Sequence, residues 1–569
     1  MDKFFGALGF MLANTDKIQI IWYGAVLLTM LILAVLHHRL KHYEREMKLW
    51  KKLCLIPLLI TTVHYFVYVW GVDSFLRRYT PMYLTALLAL LPAMCAGLKK
   101  SCKAVSVITG ALSVVFAAYF FTSSTKPHNF TRKSYTKSFH AMVREMDRSY
   151  VLKEWKDIDF YALEDKYMPL VEEAEQEKDP AKLADAVTMF CNELHDNHVR
   201  VGADYDFEKY SSSFMLRDYG FSMVQLDSGE VIAVCTDAAV NELGINDGTV
   251  ITKWDGEPVL QAAEKIGDCG QPVKANDERE ILAELAGTGG DTVKVSFIDS
   301  TGREQTAELT ALENEHTYDD ALNAFLHCPE DMRELINSNF SAKMLDDKCG
   351  YLVLSAETTG SSIRDDISFY TGKSKWAREL FRERLRDLRD QGMEYLVVDM
   401  RNNVGGCGPI GYELCSLLSD KDIYAMGLGV RKNGGYKRLT TQMIRSDGEF
   451  ADLKVVVLTN CQCISAGDST ALCLSRLPNV TLAGITDPNG SGQITGGCCV
   501  LSGGIVSVNY PIGLTLNEND EPDIDTRADR ISRDPVEVRI PLDYDAAMRI
   551  FRDKEDHELD WAVKYLENE

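Results

Sequence analysis

Four apolar runs near the start of the chain constrain its fold more than any other feature of the sequence. Each is nearly free of charge, and they cover residues 19–36, 53–72, 80–98 and 104–121. A helix of about 20 apolar residues crosses the roughly 30 Å hydrocarbon core of a bilayer. The runs therefore predict a membrane region at residues 1–125 that contains four transmembrane helices.

The connectors between these runs predict the orientation of the membrane region. Residues 37–52 contain six Lys and Arg, and residues 99–103 contain three Lys. Basic connectors favour the cytoplasmic side, so both termini are expected outside, although the basic segment 126–137 argues for the opposite orientation. The pattern predicts a multi-pass protein of the cell membrane, with an extracytoplasmic soluble region after residue 125.

Charge and cysteine content indicate which kinds of ligand the soluble region is not expected to bind. The chain has a formal net charge of -23, most of it after residue 125, which argues against nucleic acid as a partner. No histidines stand at metal-ligand spacing from its paired cysteines, which favours packing or a disulfide over a zinc site for Cys461, Cys463, Cys498 and Cys499. We expect no metal and no cofactor.

Two amphipathic patterns predict a helical cap at residues 126–205. Apolar residues recur three and four positions apart in residues 139–151 and again in residues 183–195. The second helix then gives way to an extended segment. Two histidines, His195 and His198, lie at this transition.

Short strands punctuated by glycine follow at residues 206–310, and they resemble a PDZ domain. The run GINDGTVITKWDGEPV, residues 244–259, carries the resemblance. In that fold a glycine-containing loop binds the C-terminal carboxylate of a peptide, and a strand edge accepts the peptide as an added strand. The alternative is a small β-barrel without a ligand. The resemblance implies four substrate-binding residues, Tyr219, Gly220, Phe221 and Ser222.

Strands and helices alternate through residues 311–569, which predicts an α/β core. The apolar strand 394–400 runs into RNNVGG, residues 401–406, and the apolar strand 454–459 runs into Ser465 and a helical pattern. Open α/β sheets place their functional groups where such strands end. The two loops are therefore the candidate site of the core.

The segments YLVVDMRNNVGG and VVVLTNCQCISAGDSTALCL, behind a PDZ-like segment and a helical cap, resemble the C-terminal processing peptidase and tricorn-core family of serine peptidases. The similarity covers residues 135–550. It implies a core similar to the crotonase and Clp-protease superhelix of ββα units. The expected fold class is thus multi-domain α/β, with four transmembrane helices, a helical cap, a PDZ-like β domain and a ββα peptidase core.

The resemblance implies that Ser465 is the nucleophile. A hydroxyl between a strand and a helix lies near backbone N–H groups that can stabilise negative charge on an attacked carbonyl. The matching positions for this oxyanion hole are Ala466, Gly405 and Gly406.

The base follows from the branch of the family that the chain resembles. One branch uses a lysine about 25 residues after the serine, but no lysine occurs between Lys454 and Lys554, and Gly490 stands at the matching count. The tricorn-like branch takes a histidine from the end of the cap, which implies His198, with His195 as the competitor. The same branch implies an orienting glutamate at Glu518, with Glu521 second.

These expectations combine into a membrane-anchored, extracytoplasmic serine endopeptidase that acts through an acyl-enzyme. Its partners would be protein or peptide substrates, and the PDZ-like domain would capture either a chain end, such as the C-terminus, or an extended segment. The alternative is a non-catalytic peptide- or ligand-binding protein on the same fold, because related domains occur in retinoid-binding proteins.

Overall fold

The computed structural model describes residues 128–203, 218–264, 290–312, 317–327, 338–525 and 536–568. Its first part is a helical cap whose apolar faces pack together, with Phe139, Phe160 and Phe190 fully buried. Asp159 and Asp179 begin the second and third helices by accepting hydrogen bonds from backbone N–H groups. The elements are β1 (His128–Asn129), α1 (Tyr135–Ser149), α2 (Phe160–Glu177), α3 (Pro180–Asn192) and β2 (Arg200–Ala203).

A β-rich unit follows with an apolar core of its own around Phe221, Trp254 and Phe297. Strands β3 and β4 pair antiparallel, and a second sheet has the order β6-β5-β7-β8. The elements are β3 (Ser222–Gln225), β4 (Val231–Val234), α4 (Ala238–Glu242), β5 (Ile251–Trp254), β6 (Glu257–Pro258), α5 (Val259–Glu264), β7 (Thr292–Ile298) and β8 (Glu304–Thr310).

The remaining residues form a mixed α/β core. Its first half contains α6 (Thr317–Leu326), β9 (Ala342–Met344), β10 (Cys349–Val353), α7 (Ser362–Thr371), α8 (Lys375–Asp390), β11 (Tyr395–Asp399), α9 (Gly408–Leu418), β12 (Ile423–Lys432) and β13 (Gly435–Ile444). Its second half contains β14 (Lys454–Leu458), α10 (Ala466–Ser475), β15 (Val480–Gly484), β16 (Gln493–Val500), a 3₁₀ turn (Ser502–Gly504), β17 (Val506–Leu516), β18 (Val538–Arg539), α11 (Tyr544–Ala547), a π-helical turn (Met548–Arg552) and α12 (His557–Asn568).

The central sheet of the core has the order β18-β15-β14-β11-β10-β9 and is parallel except for β9. Strand β11 is buried throughout, as expected for a parallel strand covered on both faces. Strands β11 and β14 are in register, with Asp399 opposite Leu458. The loops that follow these two strands therefore start side by side at one edge of the sheet.

A second sheet brings the cap to the same place. Its order is β1-β16-β17-β12-β13, and β2 pairs antiparallel with β17. Because β2 begins at Arg200, this pairing holds the end of the cap, including His198, against the core. The cap and this sheet share one apolar cluster, to which Phe190 and Val508 both belong.

The membrane prediction fails against the structure. Among the described residues, every helix is too short or too polar to cross a bilayer. The longest of those helices, α2, has 18 residues but is interrupted by Asp, Glu and Lys side chains, which are costly in hydrocarbon. This finding contradicts the predicted fold class with four transmembrane helices and the predicted multi-pass membrane localisation. The four apolar runs themselves lie outside the described residues.

Candidate active site

Ser465 lies between β14 and α10 in a backbone conformation that residues other than glycine seldom adopt. Its φ is 65° and its ψ is −116°, and such a conformation costs about 1–3 kcal/mol that the surroundings must offset. The Ser465 N–H donates to Asp468 Oδ2 at 3.0 Å and to the Ser491 carbonyl oxygen at 3.1 Å. These two hydrogen bonds hold the residue in its strained conformation.

A cavity of about 260 Å³ opens beside Ser465. Its wall includes His198 from the end of the cap, Gly406 from the loop after β11, and Ala466 at the start of α10. The structure thus brings together, in one cavity, residues that lie more than 260 positions apart in the chain. Ser465 and His198, both among the described residues, make no direct hydrogen bond to each other.

The glycine loop after β11 packs directly on Ser465. A Cβ added at Gly405 would come within 2.6 Å of the Ile464 carbonyl oxygen and 2.8 Å of Ser465 Cβ. The φ of Gly405 is 76°, in the left-handed region that favours glycine. The close approach of the two loops therefore requires glycine at this position.

The three predicted oxyanion donors are not equivalent. The N–H of Gly405 donates to Asn403 Oδ1 at 2.9 Å. The N–H groups of Gly406 and Ala466 make no hydrogen bond to any residue that the structure describes, and both residues line the cavity. Two backbone donors are thus available to a ligand beside Ser465, and Gly405 serves to shape the loop.

His198 lies in a turn that a buried carboxylate stabilises. Asp196 Oδ1 accepts the His198 N–H at 2.8 Å, and Asp196 Oδ2 accepts the Tyr150 hydroxyl at 2.7 Å. The Asp196 carboxylate lies 4.0 Å from His198 Nδ1. It therefore holds the backbone of the turn more directly than the imidazole ring.

The imidazole of His198 is oriented by a serine. Its Nδ1 lies 2.7 Å from Ser491 Oγ, and Ser491 Oγ donates to Gln493 Oε1 at 2.6 Å. Because an amide oxygen only accepts, the Ser491 proton is committed to Gln493 and His198 Nδ1–H must donate to Ser491. Nε2 is then the unprotonated nitrogen. Burial lowers the pKa of His198, against the opposing effect of Asp196, which favours the neutral imidazole.

Asp468 connects the nucleophile to the loop that carries Ser491. Its carboxylate accepts three backbone N–H groups, from Ser465 at 3.0 Å, Gly490 at 3.0 Å and Ser491 at 3.1 Å. Asp468 is completely buried. Burial raises its pKa to about 7, and the three backbone hydrogen bonds oppose that rise. One carboxylate thus holds both Ser465 and the residue that orients His198.

Neither predicted glutamate makes a hydrogen bond to His198, whose ring contacts are Ser491 and Asp196. Glu518 and Glu521 are exposed in the turn after β17. The Glu518 carbonyl accepts from Arg438 at 3.0 Å, and Glu521 Oε2 accepts from Asn517 at 3.3 Å. Ser491 is not among the residues predicted from the sequence, although its position is a signal: it directly follows Gly490, which stands at the count of the lysine branch's Gly-Lys pair.

The competing histidine lies elsewhere. His195 lines a separate cavity with Lys156, and the Lys156 ammonium donates to the His195 carbonyl oxygen at 2.9 Å. Of the two histidines at the end of the cap, His198 is the one that shares a cavity with Ser465.

In the predicted substrate-binding loop of the β-rich unit, the side chains are buried and the Gly220 N–H has an internal partner. Tyr219 and Phe221 are 1% exposed and Ser222 is fully buried. The Gly220 N–H donates to Asp218 Oδ1 at 2.7 Å, and the same carboxylate accepts from Thr317. An internal carboxylate therefore occupies the glycine N–H that was expected to bind a peptide carboxylate.

Comparison with known proteins identifies the core. Residues 350–527 match the model of Peptidase family S41 and form a domain of that family. None of the curated proteins matches the chain in sequence.

The solved structures similar to this chain include the following three. Mature CPAF is 15% identical with a TM-score of 0.51, and the match covers 77% of this chain and 98% of that one. Mature CPAF complexed with lactacystin is 13% identical with a TM-score of 0.50, covering 77% and 99%. The photosystem II D1 C-terminal processing protease is 18% identical with a TM-score of 0.32, covering 74% and 97%. The two CPAF structures share their fold with this chain.

Proposed function

We propose that the S41 domain makes this chain a serine peptidase that hydrolyses peptide bonds of proteins or peptides through an acyl-enzyme. One observation carries the proposal: a single cavity is lined by three kinds of group that acyl transfer needs. These are Ser465 in a strained conformation, the neutral His198, and two backbone N–H groups without a described partner. A binding protein would need none of these features together.

In the first step, Ser465 Oγ attacks the carbonyl carbon of the scissile peptide bond. A C–O bond forms while the hydroxyl proton passes to His198 Nε2, and the C–N bond then breaks as His198 returns that proton to the leaving amine. Water attacks the resulting ester by the same route, so that Ser465 is restored and the acyl product leaves as a carboxylic acid. The lowered pKa of His198 supports the role of base, because the imidazole is neutral before attack.

The developing negative charge on the carbonyl oxygen would be stabilised by Gly406 and Ala466. Donors that are fixed before the reaction stabilise such an oxyanion without reorganisation, and losing one typically costs about 100- to 1,000-fold in rate. Ala466 is also the first residue of α10, where the helix dipole favours negative charge.

Ser491 takes the orienting role that the sequence analysis assigned to Glu518. Its hydroxyl, held by Gln493, accepts His198 Nδ1–H and so directs the free Nε2 toward proton transfer. The missing hydrogen bond between Ser465 and His198 is compatible with this role, because catalytic hydrogen bonds are often long in the free enzyme and tighten with substrate.

The proposal also assigns a role to each domain of the chain. We assign the cap to residues 126–205, the PDZ-like domain to 206–310 and the peptidase core to 311–569. The cap would supply the base and the core the nucleophile. Peptide capture by the PDZ-like domain would require the loop at Gly220 to release Asp218, since that carboxylate now accepts its N–H.

Labelling with a small fluorophosphonate tests the proposal. Full-length protein should acquire one adduct by intact mass, and Ser465→Ala should abolish it. Ser469→Ala is the matched control, because Ser469 lines the same cavity one turn along α10 and should leave labelling intact. His198→Ala should slow labelling strongly, whereas His195→Ala should not.

The outcome separates the two candidate functions. Labelling that depends on Ser465 and His198 supports the peptidase. Folded wild-type protein that takes no label would instead favour a binding protein on a peptidase fold. A Ser465→Ala variant that is labelled as fast as wild type would show that Ser465 is not the nucleophile.

A further inference from the structure

The cavity beside Ser465 has a wall without fixed charge. Beyond the groups assigned to catalysis, its apolar members are Phe369, Pro409, Met426 and Ile494. No Asp, Glu, Lys or Arg is among the described residues that line it. This is notable in a chain that is one-quarter charged residues.

Met426 and Gln442 form one side of this wall as cross-strand partners. They lie opposite each other on β12 and β13, where paired side chains are close neighbours on one face of the sheet. The Gln442 Nε2 donates to the Gly372 carbonyl oxygen at the end of α7 at 3.3 Å. The amide is therefore tied to a neighbouring helix, and the pair presents a thioether and a neutral amide to the cavity.

Tyr412, which also lines the cavity, is neutral as well. Tyr412 is 4% exposed and lies beneath Gly408, where an added Cβ would be 3.2 Å from the Tyr412 hydroxyl. Burial raises the pKa of Tyr412 well above its ordinary value, so its hydroxyl keeps its proton. The buried Glu357 raises the pKa of Tyr412 further.

We propose that this cavity receives an uncharged, largely apolar side chain of the substrate residue on the acyl side of the scissile bond, and that Met426 and Gln442 determine this specificity. The inference rests on the proposed peptidase function. A charged side chain that enters such a cavity loses its water and gains no partner. The volume of about 260 Å³ is below the roughly 300–1,000 Å³ of a typical small-molecule pocket, which suits one side chain rather than a longer segment.

The acyl side is assigned from the position of the base. His198 must return its proton to the leaving amine, so the leaving group lies toward His198 and the strand that carries Gln493. The acyl side is then assigned to the part of the wall formed by Pro409 and Met426, which line the same cavity as the Gly406 donor.

Peptidyl diphenyl phosphonates test this specificity, because they carry the acyl-side residue and bond covalently to a serine nucleophile. Ser465 Oγ forms an O–P bond as phenol leaves with the proton accepted by His198. Reagents of the form acetyl-Ala-Ala-X, with X the phosphonate analogue of Met, Leu, Lys or Glu, are compared on full-length protein. The Met and Leu reagents should react about 100-fold faster than the Lys and Glu reagents, within the discrimination that side-chain pockets achieve.

A charge introduced at Met426 should change the preference. Met426→Glu should raise the ratio of Lys to Met reactivity by about 100-fold, since it supplies the missing counter-charge. Met426→Gln, which has a similar size and no charge, should not. Met443→Glu is the second control, because Met443 is 42% exposed on the same hairpin and adjacent residues of a strand point to opposite faces.

A small fluorophosphonate, which has no acyl-side residue, separates this inference from the proposed function. If it labels Ser465 but the four phosphonates react equally fast, the specificity inference is wrong while the peptidase stands. If Met426→Glu keeps its fluorophosphonate rate and its wild-type preference, the role of Met426 is wrong. If no reagent labels folded wild type, both fail.

Discussion

Replacing Asp468 with asparagine tests how the site is held together. Asp468→Asn keeps the size of the side chain but offers one acceptor oxygen to the three N–H groups of Ser465, Gly490 and Ser491. Since the pKa of Asp468 is raised to about 7, the neutral and ionised carboxyl are about equally populated in the fold at pH 7. A neutral amide is therefore tolerated, and we expect the free energy of unfolding to change by less than about 2 kcal/mol.

The effect on reactivity should be larger. A hydrogen bond to a charged group contributes about 1.5–3 kcal/mol, and at about 1.4 kcal/mol per tenfold in rate its loss at Ser465 corresponds to roughly 10- to 100-fold slower labelling. The ionised carboxylate makes these bonds, so the labelling rate of wild type should rise with pH through about 7. The variant should lack this rise and keep only the His198 dependence, which lies below the ordinary histidine pKa because the pKa of His198 is lowered.

The assay is the fluorophosphonate labelling rate between pH 5 and 9, with urea unfolding as the measure of stability. Folding stability should change in the opposite sense to reactivity. A carboxyl whose pKa rises on folding binds its proton more tightly in the fold, so wild type gains stability relative to the variant as pH falls from about 7 toward 3.8. Asp387→Asn, an exposed substitution on α8, is the control. A variant that is labelled at the wild-type rate at pH 8.5 would refute the coupling.

Three further substitutions probe the same region. Ser491→Ala removes the acceptor of His198 Nδ1–H and should slow labelling by about 10- to 100-fold, because the imidazole is no longer oriented. The apparent affinity of the variant for a peptide substrate should change little. An unchanged labelling rate would show that Ser491 has no role in the mechanism. Gly405→Ala should abolish labelling, because its Cβ would meet Ile464 and Ser465, whereas Gly434→Ala, with a similar φ of 77° and open space around it, should be labelled normally. Arg401→Met leaves the carboxylates of Asp399, Asp556 and Glu558 without their shared partner and should lower the free energy of unfolding by about 3–5 kcal/mol, which urea unfolding measures; a loss under about 1 kcal/mol would contradict a stabilising network.

Local pattern located the two loops of the candidate site, and the family resemblance singled out the residues within them. An apolar strand followed by a helical pattern indicated the loop of Ser465, and the apolar strand 394–400 followed by RNNVGG indicated the loop of Gly405 and Gly406. These signals work because they depend on neighbours in the chain. Burial on both faces makes a strand continuously apolar, and a positive φ at a close approach calls for glycine. The roles of these residues remain predictions until they are tested by labelling.

Contacts between distant parts of the chain determine how the side chains of the site are oriented, which local sequence pattern does not predict. The orientation of His198 depends on Ser491, which is 293 positions away, and the two meet because β2 pairs with β17 beside β16. Glu518 was chosen from an acidic stretch in which spacing alone does not distinguish one carboxylate from another. Which group accepts the Gly220 N–H likewise depends on Asp218 and on its contact with Thr317, 99 positions further on. The sequence by itself determined which elements form and where Ser465 lies between them, because those properties are local. Only the tertiary structure decided which polar group faces which, because that depends on how distant loops are brought together and buried.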